Sequence, residues 1–75
     1  MVRISMSLGR THGIRPADVV GTLAFHADIP GHTIGKIFIE DKHTFVDVPA
    51  SLVGKVLSKK VDYKFKRQPV IVEKA

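Results

Sequence analysis

The stretch VRISMSLGRTHGIRPADVVGTLA, residues 2–24, contains a strand pattern, a short glycine-rich connection and a helix pattern in immediate succession. Apolar and polar residues alternate over residues 2–8, and this period of two is typical of a half-buried strand. Pro16 suits the first position of a helix, and apolar residues then recur at helical spacing. The stretch therefore predicts a strand that passes through a tight loop into a helix.

The remainder of the chain adds a hairpin, a helix and a last strand. Two β-rich runs within residues 34–49 are separated by little more than Asp41 and Lys42, which predicts a hairpin. Residues 50–60 predict a second helix. Residues 63–73 predict a short strand, a basic turn and a last strand over residues 70–72.

The element order β-α-β-β-α-β predicts an α+β sandwich of the ferredoxin-like type. Two right-handed βαβ units interleave into a four-stranded antiparallel sheet with the order 4-1-3-2, and the basic turn splits the last-strand region. Both helices cover one face of the sheet, and the other face stays open. We expect a single domain over residues 1–75 with a modest core, since so short a chain buries only about 60% of its unfolded surface.

Composition excludes several classes of protein. The chain has no cysteine, which excludes disulfides and thiolate metal sites and is compatible with a cytoplasmic location. Its four histidines contain no i, i+4 pair, so we expect no histidine-based metal site. No apolar run approaches the ~20 residues that a membrane helix needs, so we expect no membrane partner.

The charge is unevenly distributed along the chain. The net charge is +5, with +3 in residues 1–15, −3 in residues 16–47 and +5 in residues 48–75. The predicted topology makes the first and last strands neighbours, so the two basic ends meet. This arrangement favours an anionic partner such as a nucleic acid.

The loop after the first strand is the first candidate binding element. Gly9 and Gly13 allow a tight turn from strand to helix, and Arg10, His12 and Arg15 then lie near the basic last strand. Glycine-rich loops that lead into a helix often hold phosphate, although a tight turn with solvated arginines is the alternative.

Further basic residues come from the first strand and from the run before the last strand. Lys59 and Lys60 suit the end of the second helix, where cations are favourable in any case. We expect Lys64, Lys66 and Arg67 to lie on or beside the last strand, next to Arg3 and near the loop.

The predicted hairpin register places Phe38 opposite Phe45, and Glu40 opposite His43, on the open face of the sheet. Aromatic side chains beside basic grooves hold single-stranded RNA in many sheet proteins. The alternative is a cross-strand pair that only stabilises the hairpin, by about 0.2–1 kcal/mol.

An enzymatic alternative is acylphosphatase, which has the same element order and a similar loop. GRTHGIRP, residues 9–16, supplies two glycines and one arginine of the acylphosphatase loop, but Arg15 follows Ile14 directly instead of standing further on. The asparagine that positions the attacking water is also missing, since the chain contains no asparagine. We therefore expect no catalytic residue.

Motifs along nearly the whole chain resemble the DbpA-like RNA-binding domain at the C-terminus of bacterial DEAD-box ATP-dependent RNA helicases. They are VRISMSLGR, GIRPADVVGTLA, IPGHTIGKIFIEDKHTFVDVP and PVIVEKA. The resemblance implies an RRM-like module in ribosome biogenesis that tethers a helicase core of the same polypeptide to RNA. Some members are specific for a hairpin of large-subunit rRNA. The module itself needs no cofactor, because ATP and Mg serve only the helicase core.

HTFVDV, residues 43–48, matches the RRM signature only in part, since the glycine and the basic start of that signature are absent. Stacking is therefore expected to be secondary to phosphate contacts. The alternative function is a degenerate RRM that binds a protein through Phe25, Phe38 or Phe45. The complete set of expected RNA-binding residues is Arg3, Gly9, Arg10, His12, Arg15, Phe38, His43, Phe45, Lys64, Lys66 and Arg67.

Overall fold

The centre of the structure is strand β1, Val2–Met6, which pairs antiparallel with a strand on each side. The structure is a computed structural model and describes residues 1–58 and 63–75. The other elements in chain order are a 3₁₀ helix Arg10–His12, α1 Pro16–Ala27, a 3₁₀ helix Gly31–Thr33, β2 Ile37–Ile39, β3 Thr44–Val48, α2 Ala50–Ser58, β4 Lys64–Phe65, β5 Gln68–Pro69 and β6 Val72–Lys74.

The main sheet has four antiparallel strands in the order β2-β3-β1-β6. Ile4 and Met6 of β1 are fully buried, whereas Arg3 on the opposite face is exposed. Alternate residues of a strand face opposite sides of a sheet, so only one face of this sheet is covered by the helices. The predicted α+β class, with two helices and a four-stranded antiparallel sheet, is confirmed.

The last strand differs from the prediction in position. The predicted strand at residues 70–72 begins two residues later, as β6, while β4 and β5 form a separate two-stranded hairpin. Thus the sixth strand along the chain occupies the outer place beside β1. The physical reason is that the Val70 amide donates to the Tyr63 carbonyl at 2.9 Å and is not available to β1.

The β2–β3 hairpin has the predicted register. Phe38 lies opposite Phe45, and the Glu40 amide donates to the His43 carbonyl at 2.8 Å. Thr44 is fully buried on the helix side, as this register requires.

Both helices form where the sequence pattern predicts them. Helix α1 begins at Pro16, and the Asp18 carboxylate accepts a 3.0 Å hydrogen bond from the Arg15 amide, which caps the first turn. The helix buries Val19, Leu23 and Ala27. The structure describes α2 as far as Ser58, so the predicted helix end at residues 59 and 60 lies outside the described residues.

Tyr63 anchors the beginning of the C-terminal segment, residues 63–75, in the core. Its side chain is fully buried, and its hydroxyl donates to the Val56 carbonyl at 2.9 Å. Burial raises the pKa of the Tyr63 phenol to about 12. Within the described residues, neither helix is long and apolar enough to cross a membrane.

Candidate nucleic-acid interface

The loop between β1 and α1 lies against the turn of the β2–β3 hairpin. Gly9 is buried there, and a β-carbon at this position would lie 2.7 Å from the His43 amide nitrogen. Gly13 has a φ of 78°, which ends the short 3₁₀ helix in the left-handed region. The two glycines thus have different roles: Gly9 provides room for close backbone approach, and Gly13 provides the conformation.

Backbone hydrogen bonds join the loop to the hairpin turn. The Arg10 amide donates to the Glu40 carbonyl at 2.8 Å, and the Thr11 amide donates to the Asp41 carbonyl at 3.0 Å. The Thr11 hydroxyl donates to the same Asp41 oxygen at 2.8 Å. The loop and the turn therefore form one rigid unit. Thr11 is a contributor that sequence reasoning missed, because nothing in the local pattern shows which distant carbonyl it meets.

Part of the Arg10 guanidinium is engaged in contacts with other residues of the protein. Its Nη2 donates to the Ile39 carbonyl at 3.2 Å, and its Nη1 lies 3.6 Å from the Asp41 carboxylate. The side chain is nevertheless 72% exposed. A guanidinium has five N–H donors, so Arg10 can hold the hairpin turn and still contact a phosphate.

Arg15 and His12 lie on the solvent side of the same loop. The Arg15 side chain is 83% exposed, with its Nε 3.9 Å from the Asp18 carboxylate. The His12 Nδ1 accepts a 3.1 Å hydrogen bond from the Gly9 amide. In the neutral ring the proton is consequently on Nε2, which can donate to a ligand.

The β4–β5 hairpin brings a second basic segment to the loop. The Lys66 Nζ lies 2.9 Å from the point where a β-carbon of Gly13 would stand. Lys64, Lys66 and Arg67 are all exposed. The predicted proximity of these cations to the Arg10–Arg15 loop is confirmed at Lys66. Below, this surface, made of Arg10, His12, Arg15, Lys64, Lys66 and Arg67, is called the basic edge.

Arg3 does not belong to the basic edge, so its predicted position next to Lys64, Lys66 and Arg67 is wrong. It lies toward the other end of β1, beside the pairing of Ile4 with Lys74. Its predicted neighbours are not strand residues of the main sheet, because they belong to the separate β4–β5 hairpin.

Arg3 is instead held by an acid and an aromatic ring on the open face. Its Nε donates to the Asp47 Oδ1 at 3.0 Å, and its guanidinium carbon is 4.6 Å from the Phe38 ring centroid. The hydrogen bond from Arg3 lowers the pKa of Asp47, and the same bond raises the pKa of Arg3. Arg3 is therefore a partly neutralised cation.

The open sheet face carries the expected aromatic pair, but its charge is not basic. Phe38 is 41% exposed, Phe45 is half-buried and His43 is exposed. The strand register places Glu73 across from Ser5, next to the row that contains Phe45. Glu40 and Asp47 add two further carboxylates. This face offers rings for stacking without the surplus of positive charge found at the basic edge.

Other kinds of site find little support in the described parts of the chain. Residues 1–58 and 63–75 enclose no pocket. They also contain no group of three histidine or carboxylate side chains placed to hold a metal ion. Among the described residues, the basic edge concentrates cations, and the open face carries the aromatic pair.

The chain matches the family model described as the DbpA RNA binding domain over residues 3–74. The match includes the loop, both hairpins and all three C-terminal strands. No curated protein matches the chain.

Proposed function

The chain belongs to the DbpA RNA-binding domain family, and from this premise we propose that it binds RNA mainly through phosphate contacts made by the basic edge. The observation that carries this proposal is the position of the Lys66 Nζ beside Gly13. It joins two basic segments that are distant in sequence into one surface. Phosphate contacts dominate the affinity of most nucleic-acid complexes, so a concentrated basic surface is the favoured docking site.

The charge of each surface supports this choice. Residues 63–69 contain three cations and no acid, and Arg15 is largely exposed. On the open face, by contrast, Asp47 already pairs with Arg3. A phosphate approaching that face would also meet the carboxylates of Glu40 and Glu73.

Base stacking has a secondary role in the proposal. Phe45 is the preferred stacking residue, with His43 two residues before it, just ahead of β3. The Phe38 ring is partly covered by the Arg3 guanidinium, so a base must share it with that group or displace it. We assign Gly9 and Gly13 to shaping the loop.

The wider context rests on the sequence resemblance. We propose that the module tethers a DEAD-box helicase core of the same polypeptide to structured RNA, with a large-subunit rRNA hairpin as the specific candidate. It acts without a cofactor and without a catalytic step of its own. ATP and Mg are used only by the helicase core, and we place the protein in the cytoplasm of a bacterium.

A binding titration across a salt series tests the proposal. The ligands are an rRNA hairpin with single-stranded flanks, an unstructured RNA and a DNA duplex of matched length. Five cations at the basic edge predict a slope of log K against log salt of about −3 to −4, at roughly 0.7 for each phosphate contact. Preference for the hairpin supports the specific anchor, and equal binding to all RNAs supports a general tether. Absence of RNA binding at low salt excludes the proposed function.

A second candidate function is binding of a protein partner through the open face. It is favoured by the exposed Phe38 ring among carboxylates and by Phe25, which is 82% exposed on α1. Binding through an apolar face should depend little on salt, whereas RNA binding should weaken steeply. The same salt series therefore separates the two functions once a partner is supplied.

A further inference from the structure

The turn of the β4–β5 hairpin has an unusual composition for its conformation. The register pairs Phe65 with Gln68, which leaves Lys66 and Arg67 as a two-residue connection. Both residues have positive φ, 51° for Lys66 and 69° for Arg67. Two positive φ values in a two-residue hairpin correspond to a type I′ turn, which strongly favours Asn-Gly. Two long cationic side chains in the left-handed region are strained by their own β-carbons.

The surroundings of the turn hold it in this conformation. Phe65 is half-buried and packs against the core, and the Lys66 Nζ lies 5.4 Å from the centroid of its ring. The hydrogen bond from the Val70 amide to the Tyr63 carbonyl closes the base of the hairpin. Strained backbone persists where the surrounding structure determines it, and such positions are concentrated at binding sites.

We propose that the Lys66–Arg67 turn is a preformed phosphate clamp, in which stability is given up to hold two cations in place for an RNA backbone. A turn with a purely structural role would be more stable with asparagine and glycine at these positions. A short hairpin anchored by Phe65 presents both charges before RNA arrives, so less conformational entropy is lost on binding. The inference rests on the proposed RNA-binding function and deepens it by assigning the clamp to two residues.

The position of Lys66 couples the clamp to the loop. Its Nζ lies beside Gly13, at the point where the 3₁₀ helix ends and the chain turns toward Arg15. A phosphate held between the turn and the loop would contact cations from both segments. The clamp therefore recognises the phosphodiester backbone, which every RNA presents, and adds affinity without base specificity.

The test replaces the turn with its most favourable sequence in the variant Lys66→Asn/Arg67→Gly. The Tm should rise by about 4–8 °C, because the strain is relieved. RNA affinity should fall at least tenfold, and the salt slope should fall by about 1.4, because two phosphate contacts are lost. The matched control is Lys36→Gln/Lys55→Gln, which removes the same net charge from the residue before β2 and from α2 and should lower affinity less than about threefold.

The single variant Arg67→Gly is a second test that retains Lys66. It should raise the Tm and lower the salt slope by about 0.7. If the wild-type protein binds RNA and the double variant keeps the same RNA affinity and salt slope, the assignment of the turn as a phosphate clamp is wrong, while the proposed function stands. If the variants lose RNA affinity without any gain in Tm, the claim that the native turn lowers stability in order to bind RNA is wrong. A wild-type protein that binds no RNA would instead exclude the proposed function itself.

Discussion

Gly9 lies directly against Glu40, so that a β-carbon on Gly9 would overlap the Glu40 carbonyl oxygen. The amide of the next residue, Arg10, donates to this oxygen at 2.8 Å. The first loop and the turn of the β2–β3 hairpin are thus joined where only glycine fits. The φ of Gly9 is −152°, an extended value open to any residue, so the requirement is for space and not for conformation.

We expect Gly9→Ala to lower the free energy of unfolding by about 1–3 kcal/mol, because the new methyl group forces the loop and the hairpin turn apart. Urea unfolding followed by circular dichroism measures the change. Gly21→Ala is the matched control, since among residues 1–58 and 63–75 no atom outside its own helix lies within 4 Å of its β-carbon position. This control should raise the stability by about 0.5–1 kcal/mol. Equal effects of the two variants would contradict the close approach at Gly9.

The two loop arginines should contribute similarly to RNA binding and differently to stability. Arg15→Ala should reduce the salt slope of RNA binding by about 0.7 and leave the Tm unchanged, because its side chain is 83% exposed. Arg10→Ala should reduce the slope similarly and also lower the Tm, because the bond to the Ile39 carbonyl is lost. Salt-series titrations and thermal melts measure both. An unchanged slope in the double variant would remove the loop from the RNA site.

Base stacking on the open face predicts that removal of Phe45 and removal of Phe38 weaken RNA binding to different extents. Phe45→Ala should cost about 1–3 kcal/mol of affinity for an RNA with single-stranded flanks. Phe38→Ala should cost less, since the Arg3 guanidinium lies over the Phe38 ring. Fluorescence titration measures the affinities, with circular dichroism as the folding control. Normal affinity in a folded Phe45→Ala protein would exclude the open face from RNA binding.

The buried phenol of Tyr63 predicts a loss of stability at alkaline pH. Its pKa is raised from about 10 to about 12 in the folded protein, so the native state keeps a proton that the unfolded chain loses. The stabilisation that the protonated phenol gives to the folded protein is fully present below pH 10 and is lost as the pH rises toward 12. Between pH 8 and pH 11, the free energy of unfolding should fall by about 1 kcal/mol more in the wild-type protein than in Tyr63→Phe.

Absorbance at 295 nm follows this titration directly, because Tyr63 is the only tyrosine in the chain. Identical pH profiles for the wild-type protein and Tyr63→Phe would show that the phenol is not desolvated in solution.

Local signals predicted those elements whose partners are close in sequence. Pro16 and Asp18 determine the start of α1, and the alternation around Asp41 and Lys42 determines the Phe38–Phe45 pairing. A one-residue shift in that hairpin would turn the buried Thr44 toward solvent, so the register is strongly specified.

The position of the last strand could not be predicted in the same way. Residues 70–72 have good strand propensity, but the Val70 amide is used by Tyr63, a contact within the β4–β5 hairpin base. Propensity measures how well a residue suits a strand and does not identify the competing partner of its backbone. The predicted RNA-binding residues remain a prediction, although Lys66 and the loop do come together in space.

The sequence by itself determined the element order as far as α2, the hairpin register, the helix start and the segregation of charge along the chain. Each depends on spacing between near neighbours. Only the tertiary structure decided that Arg3 pairs with Asp47 away from the cations of the basic edge, that Arg10 holds the hairpin turn, and that Lys66 stands beside Gly13. These contacts join residues 29 to 53 positions apart, and the packing of strands around the core, not local preference, brings such residues together.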